Sequence, residues 1–320
     1  MENTLDRPIF LVGHPRSGTT LLASMLGRHP DVVSTPESLY LTMVRFQIGP
    51  AFARGAEAVV RRIETSPMRF LVLDRDDLLA RLTALPALTE RSVFETVLEA
   101  FRAADGKPRL LEKTPLHLRH LDELFDWFPN ARVVWIMRDG RACIASLRKV
   151  DWASDDPVLL ARQWVRNISY GLSQQRLRPT QVHMVRYEAL IADAPAEIAP
   201  LLEFLDLAPA ETVFDHSKEV RTVKPTETSW KGNIGRPLMS DRAEAWRTEL
   251  PADILPRLDA IMGPVLARFG YGPASGHPAS RFVRFSEQVR TTLVYNRPML
   301  ALMRRVFVLG SRFRGRIKGR

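Results

Sequence analysis

The chain has 320 residues, of which 45% are apolar, and a formal net charge of +10. That length and apolar content suit one enzyme-sized α/β body or two small domains, and the single cysteine, Cys143, excludes an internal disulfide or a thiolate-rich metal site and fits a reducing compartment. The excess charge is local: residues 281–320 carry eleven basic side chains and one acidic one, Glu287, and the rest of the chain balances.

The opening residues Met1–Arg7 lack a basic n-region, and the apolar run Ile9–Val12 is too short for a secretory signal. No stretch approaches the roughly 18 uncharged apolar residues of a spanning helix. The expectation is a cytoplasmic protein, soluble or peripheral to a membrane. Strand-like runs at Ile9–Val12, Arg109–Leu111, Val133–Met137 and Val182–Val185 alternate with helical stretches, and a short second strand is expected after His29-Pro30-Asp31-Val32. This rhythm predicts a three-layer α/β fold, a mainly parallel sheet flanked by helices, with ligands at the carboxyl ends of the strands. Residues 41–108 read as an inserted group of helices, marked by Val59, Val60 and Ile63, then Leu78, Leu79 and Leu82, then Val93, Val97, Leu98 and Phe101. Residues 212–240, rich in Thr, Ser, Lys, Gly and Pro, read as a long loop, and Ala252–Phe269 as a last helix stopped by Gly270. The reading places one domain over 1–274 and a basic, helical, amphipathic tail over 275–320.

Ile9–Val12 leads into Gly13-His14-Pro15-Arg16-Ser17-Gly18-Thr19-Thr20 and then into the helix-like Leu21, Leu22, Met25 and Leu26. A strand, a glycine-bounded loop and a helix start cradle a phosphate, because the loop and first-turn amides point at the anion. The spacing is that of the nucleotide-hydrolase P-loop, except that Thr19 replaces the lysine that bridges ATP or GTP phosphates. Arg16, earlier in the loop, offers a cation instead. Further on, Arg138 leaves the end of the Val133–Met137 strand in Arg138-Asp139-Gly140-Arg141, and Ser146 follows two helical turns later. An arginine fork and a hydroxyl so spaced clamp one phosphate from two sides.

Pro15–Thr20 resembles the first signature of the sulfotransferases that use 3′-phosphoadenosine 5′-phosphosulfate (PAPS), and Arg138 with Ser146 resembles their second. The resemblance runs from Pro8 to Pro273 and is nearest the carbohydrate and tyrosylprotein groups. It implies a P-loop fold that binds PAPS and releases 3′,5′-diphosphoadenosine. Arg16, Ser17, Gly18, Thr19 and Thr20 would hold the 5′-phosphosulfate, with Arg16 also catalytic, and Arg138 and Ser146 the 3′-phosphate. Lys231-Gly232-Asn233-Ile234-Gly235-Arg236 resembles the family loop that closes over the 3′-phosphate, although Trp230 and Arg236 depart from it; Lys231 and Gly232 are either donor ligands or part of a basic solvent loop. Tyr187 either neighbours the donor or packs in the core.

Sulfuryl transfer, like phosphoryl transfer, is an in-line displacement that depends on positioning and charge stabilisation. The resemblance makes Glu37 the general base and Lys113, in Glu112-Lys113-Thr114-Pro115, the group that meets the charge on the leaving oxygen. A carboxylate of ordinary pKa, about 4.3, is weak against a tyrosine near 10, so proton loss would accompany attack. Glu112 is either the partner of Lys113 or a second base, and strand alternation would turn the two to opposite faces. A histidine base is not expected, because Pro115 stands where cytosolic small-molecule sulfotransferases have theirs and His117 lies further on. No Asp/Glu/His spacing suggests a metal.

The expected acceptor is a hydroxyl, with carbohydrate or lipid-linked glycan ahead of tyrosine or a small molecule. In the tail, Phe282, Phe285, Val289 and Leu293 fall at helical spacing beside Arg281, Arg284 and Arg290. That pattern suits an anionic membrane surface, packing on the body or a free arm, and no nucleic acid is expected. The rival functions are a P-loop kinase, which should keep a lysine at position 19 and need magnesium, and a non-catalytic nucleotide-binding protein, which would leave Glu37 and Lys113 without a task.

Overall fold

The structure, a computed structural model, describes residues 5, 7–215 and 244–274. Lys231, Gly232, most of the expected 212–240 loop and the whole basic tail lie outside the described residues. Those up to 249 belong to one compact unit and those from 250 to a second.

Five parallel strands form the sheet of the first unit: β1 (Ile9–Gly13), β2 (Val32–Ser34), β3 (Arg109–Lys113), β4 (Arg132–Met137) and β5 (Val182–Arg186), in the order β2-β3-β1-β4-β5. β1 is central, and the order reverses across it, which marks the carboxyl end of β1 as the ligand crevice of an open parallel sheet. The helices are α1 (Thr19–Leu26), α2 (Arg45–Ile48), α3 (Ala56–Glu64), α4 (Arg75–Thr83), α5 (Glu90–Asp105), α6 (Leu121–Trp127), α7 (Gly140–Leu147), α8 (Pro157–Leu177), α9 (Tyr187–Ala192) and α10 (Ala194–Phe204), followed by the short helix Trp246–Glu249. The inserted segment opens with a π-helical turn at Tyr40–Val44 and carries all the helices its apolar spacing predicts.

β1 is buried along its whole length because both faces of the sheet are covered. Ile9 and Leu11 join Leu111, Val134, Ile136 and Val185 in a core with α1, α9 and α10. Phe10 points the other way and packs on Phe128 with ring centroids 5.4 Å apart; Phe94 of α5 and a stacked Tyr40, 4.4 Å away, continue that layer. Helix starts follow local chemistry. Thr89 and Ser92 form a reciprocal capping box for α5, Asp74 caps α4 by accepting from the Asp76 and Asp77 amides, and Asp139 caps α7 by accepting from the Arg141 amide.

β3 ends on Glu112 and Lys113, as their motif and strand alternation lead one to expect, and both are fully buried, Glu112 against buried hydroxyls and His117 and Lys113 against a Glu37 that is 16% exposed. The boundary of one helix differs from the sequence reading. The last helix, in the second unit, is Leu255–Arg268 rather than Ala252–Phe269: Pro256 lies in its first turn, where a missing N–H costs nothing, and Gly270 ends it at φ 77°. In that unit the Ala274 amide donates to the Asp259 carboxylate at 2.8 Å.

Candidate functional site

Strand register sets the site. Leu11 pairs with Lys113 and Gly13 with Ile136, while Ser34 pairs with Leu111 and Met137 with Arg186. The carboxyl ends of all five strands therefore lie along one edge, and from it emerge the 14–18 loop, the segment carrying Glu37, Thr114, Arg138 and Tyr187.

The loop is built by close approach. A Cβ on Gly13 would lie 2.7 Å from the Ile136 carbonyl oxygen of β4. Gly18 caps α1 at φ +100°, and a Cβ there would lie 2.5 Å from Cδ2 of Tyr187. Only glycine combines that conformation with a ring laid against the backbone. Gly18 also offers no side-chain acceptor, so no N-cap side chain covers the first-turn amides of Thr19 and Thr20. Ser17 turns inward: its amide and hydroxyl both donate to the His14 carbonyl, at 3.1 and 2.6 Å.

The loop is also held from behind. Arg119 Nε donates to Asn167 Oδ1 at 2.7 Å, which orients the amide so that its Nδ2 faces His14 Nδ1 at 2.9 Å. His14 Nδ1 must therefore accept, leaving its proton on Nε2. Burial, then the nearby Arg119 charge, pull His14 down to about 3, so the ring is neutral at physiological pH. Neither His14 nor Asn167 carries a motif; the available signal was a polar residue, Asn167, at a buried position of α8.

The predicted donor residues converge although they are far apart in sequence. Arg16, at φ +69°, donates through Nε to Ser146 Oγ at 2.9 Å, and Arg138 Nη1 donates to the Arg16 carbonyl at 3.3 Å. The Arg138 guanidinium lies over the Tyr187 ring, 4.2 Å from its centroid. Burial and the neighbouring Arg138 lower the Arg16 pKa, while Glu37 opposes them. Two cations, a hydroxyl and an aromatic face thus share one end of the P-loop with Glu37 close by. Arg141 is turned away into a buried pair with Asp139, Nη2 to Oδ2 2.7 Å, and lies 4.1 Å from the ring centroid of Trp246. Cys143 is buried beneath the loop, with Sγ 3.8 Å from the Arg16 carbonyl oxygen, and burial pushes its thiol up to about 12. It is a packing group.

Lys113 Nζ donates to Glu37 Oε1 at 2.8 Å, with the lysine side chain fully buried and the glutamate 16% exposed. The partner of Lys113 is therefore Glu37. Glu112 faces the opposite side of β3 and accepts from Ser38 Oγ at 2.7 Å, Thr114 Oγ1 at 2.5 Å and His117 Nδ1 at 3.0 Å. With no exposed surface it cannot reach an acceptor as a second base. His117 is equally closed, since its Nε2 accepts from the Leu41 amide at 3.2 Å. Among the described residues no group of three or more His, Cys, Asp or Glu is placed to hold a metal ion, and no helix is long and apolar enough to cross a membrane.

Comparison with known proteins gives this geometry a family. A model described as "Sulfotransferase family" matches residues 8–211. The chain is 28% identical over 286 residues to protein-tyrosine sulfotransferase 1 of Danio rerio, covering 85% of this chain and 75% of that protein. It is 26% identical over 295 residues to nodulation protein NoeE of Sinorhizobium fredii, covering 84% and 67%. Among solved structures, the sulfotransferase domain of the curacin biosynthetic pathway aligns over 83% of this chain and 98% of its own length, with a TM-score of 0.61 at 20% identity. That likeness concerns the fold.

Proposed function

The chain belongs to the sulfotransferase family, and from that premise we propose that it moves the sulfuryl group of PAPS to an acceptor hydroxyl by in-line displacement, with Glu37 as general base. The observation that carries the reading is the convergence of Arg16, Ser146 and Arg138 with the Lys113–Glu37 pair at one end of the P-loop. Gly18 fits the same donor, because it puts no side-chain acceptor over the first-turn amides of α1.

In this reading the Thr19 and Thr20 amides and Arg16 hold the 5′-phosphosulfate, and Arg138 and Ser146 hold the 3′-phosphate. Ser17 serves by shaping the loop through His14 rather than by offering its hydroxyl. Lys113 does two things in turn: it orients Glu37 and then presents its ammonium to the leaving phosphate oxygen, where negative charge grows. Glu37 receives the acceptor proton as the new bond forms, because a free carboxylate is too weak a base to remove it beforehand. Lys231 and Gly232 remain candidates to close over the 3′-phosphate.

The acceptor carries a hydroxyl. Carbohydrate and lipid-linked hydroxyls are one class to test, and protein tyrosine is the other, supported by the names of relatives such as protein-tyrosine sulfotransferase 1. The test is transfer of label from PAPS or from ATP to sugar, lipid, phenol and tyrosine-peptide acceptors, with and without EDTA. Label from PAPS on one acceptor class, unaffected by EDTA, is the expected result. Transfer from ATP alone, abolished by EDTA, would establish the kinase reading instead. The basic tail is proposed to bring the enzyme to an anionic membrane surface; the full chain and a form ending at Ser280 should then differ in co-sedimentation with anionic liposomes.

A further inference from the structure

We propose that Glu112 is a positioning residue that acts on the reaction through the segment Glu37–Leu41, holding the Glu37 carboxylate against Lys113; the inference rests on the reading of Glu37 as base. The two segments grip each other residue for residue. Lys113 takes Glu37 on one face of β3, and the preceding Glu112 takes Ser38, the next residue, on the other. Thr114 continues the match: its hydroxyl donates to Glu112 at 2.5 Å and accepts from the Leu39 amide at 3.2 Å. His117 completes it, donating to Glu112 through Nδ1 and accepting from the Leu41 amide through Nε2. Ser38 Oγ also accepts from the Tyr40 amide at 3.2 Å. Side chains of this network thus meet the amides of Leu39, Tyr40 and Leu41 in succession.

The grip has something to hold. Leu39 is a non-glycine residue at φ +53°, a conformation that persists only where its surroundings over-determine it. It lies two residues after Glu37, so relaxation there would swing the carboxylate that Lys113 meets. Glu112 is the hub, because three donors end on its two oxygens and it has no exposed surface. Burial alone would raise its pKa, but the hydrogen bonds it accepts from His117, Thr114 and Ser38 oppose burial and its pKa lies below the ordinary value, so the carboxylate stays ionised. An amide cannot replace it. With its one oxygen kept toward Ser38 and Thr114, glutamine at 112 would turn its N–H group toward the His117 Nδ1 donor, and His117 could not answer by moving its proton to Nε2, which faces the Leu41 amide.

The experiment compares the full chain with its Glu112→Gln, Thr114→Val and Ser38→Ala variants. The readouts are turnover with labelled PAPS across pH, calorimetric affinity for 3′,5′-diphosphoadenosine and thermal unfolding. Glu112→Gln should lower kcat at least ten-fold and leave diphosphoadenosine affinity within about two-fold. It should also move the acid limb of the kcat profile to higher pH, because Glu37, which also feels Arg16, would lose part of its contact with the Lys113 charge. Should Glu112→Gln fail to fold, Thr114→Val and Ser38→Ala each remove one donor to Glu112 together with the acceptor of one amide, Leu39 or Tyr40, and should produce the same shift at smaller amplitude. Unchanged kcat and acid limb in folded variants, or a parallel loss of kcat and diphosphoadenosine affinity without a shift, would overturn the inference. Glu37→Gln serves as the separate control: full activity there would remove the base assignment itself, whatever the Glu112 variants do.

Discussion

Replacing Gly18 by alanine tests how the phosphate loop is built. The added Cβ would lie 2.5 Å from Tyr187 Cδ2 and 2.9 Å from Cε2, at a backbone φ of +100°. The left-handed conformation costs an L-residue ~1–2 kcal/mol, and forcing a methyl into a packed contact costs about 1–3 kcal/mol more. The sum, ~2–5 kcal/mol, corresponds to a melting-temperature loss of roughly 4–20 °C at about 2–4 °C per kcal/mol for a body of this size. The ring is in van der Waals contact with the loop and also beneath Arg138, so whatever the clash displaces should reach the donor site as well. The assay is thermal unfolding together with diphosphoadenosine titration of Gly18→Ala, Tyr187→Ala and the double variant. Steric conflict with the ring predicts that the double variant is more stable than the sum of the single effects implies, because truncating Tyr187 removes the clash and leaves only the backbone strain. A Gly18→Ala protein that melts with the parent and binds diphosphoadenosine normally would refute the reasoning.

Glu37→Gln and Lys113→Ala should lower turnover by about 10²–10⁴-fold while keeping most of the diphosphoadenosine affinity, as expected of groups that act on the transition state; equilibrium titration beside single-turnover transfer separates the two quantities. Arg138→Ala should weaken diphosphoadenosine binding by roughly 10–100-fold, the loss of a charged hydrogen-bonded contact worth about 1.5–3 kcal/mol, and should leave saturated turnover less affected. His14 predicts acid sensitivity. Its folded pKa, about 3, lies below the unfolded value of 6.5, so the unfolded chain binds the extra proton in that interval and stability falls as pH drops from 6.5 toward 3. The slope from this residue is ~1.4 kcal/mol per pH unit; denaturant unfolding at a series of pH values should show it, and His14→Gln should flatten it.

The proposed donor half of the site was legible because its residue pattern is local. Gly13, Gly18 and the threonines after them follow one strand directly, and Arg138 and Ser146 stand just before and in the last turn of one helix, α7, so periodicity and spacing place them near the carboxyl edge of a parallel sheet. The same locality made the strands readable wherever they were apolar. Glu112 and Lys113 were placed at the end of β3 by their motif and strand alternation, but their burial was not legible, since a hydropathy reading takes a charge as the end of a buried run.

Everything that joins segments had to come from the fold. Arg16 meets Ser146 only because β1 and β4 pair with Gly13 opposite Ile136. Lys113 meets Glu37 rather than Glu112 because β2 pairs with β3 and the alternation of β3 turns adjacent residues to opposite faces. The sequence by itself determined a parallel α/β body with a glycine-bounded strand-to-helix loop of P-loop spacing lacking the lysine, since those features depend on the order and spacing of neighbouring residues. Tertiary structure alone decided that Glu112 is closed inside a hydrogen-bond hub while Glu37 stands at the site, because burial and partner choice are set by strand register.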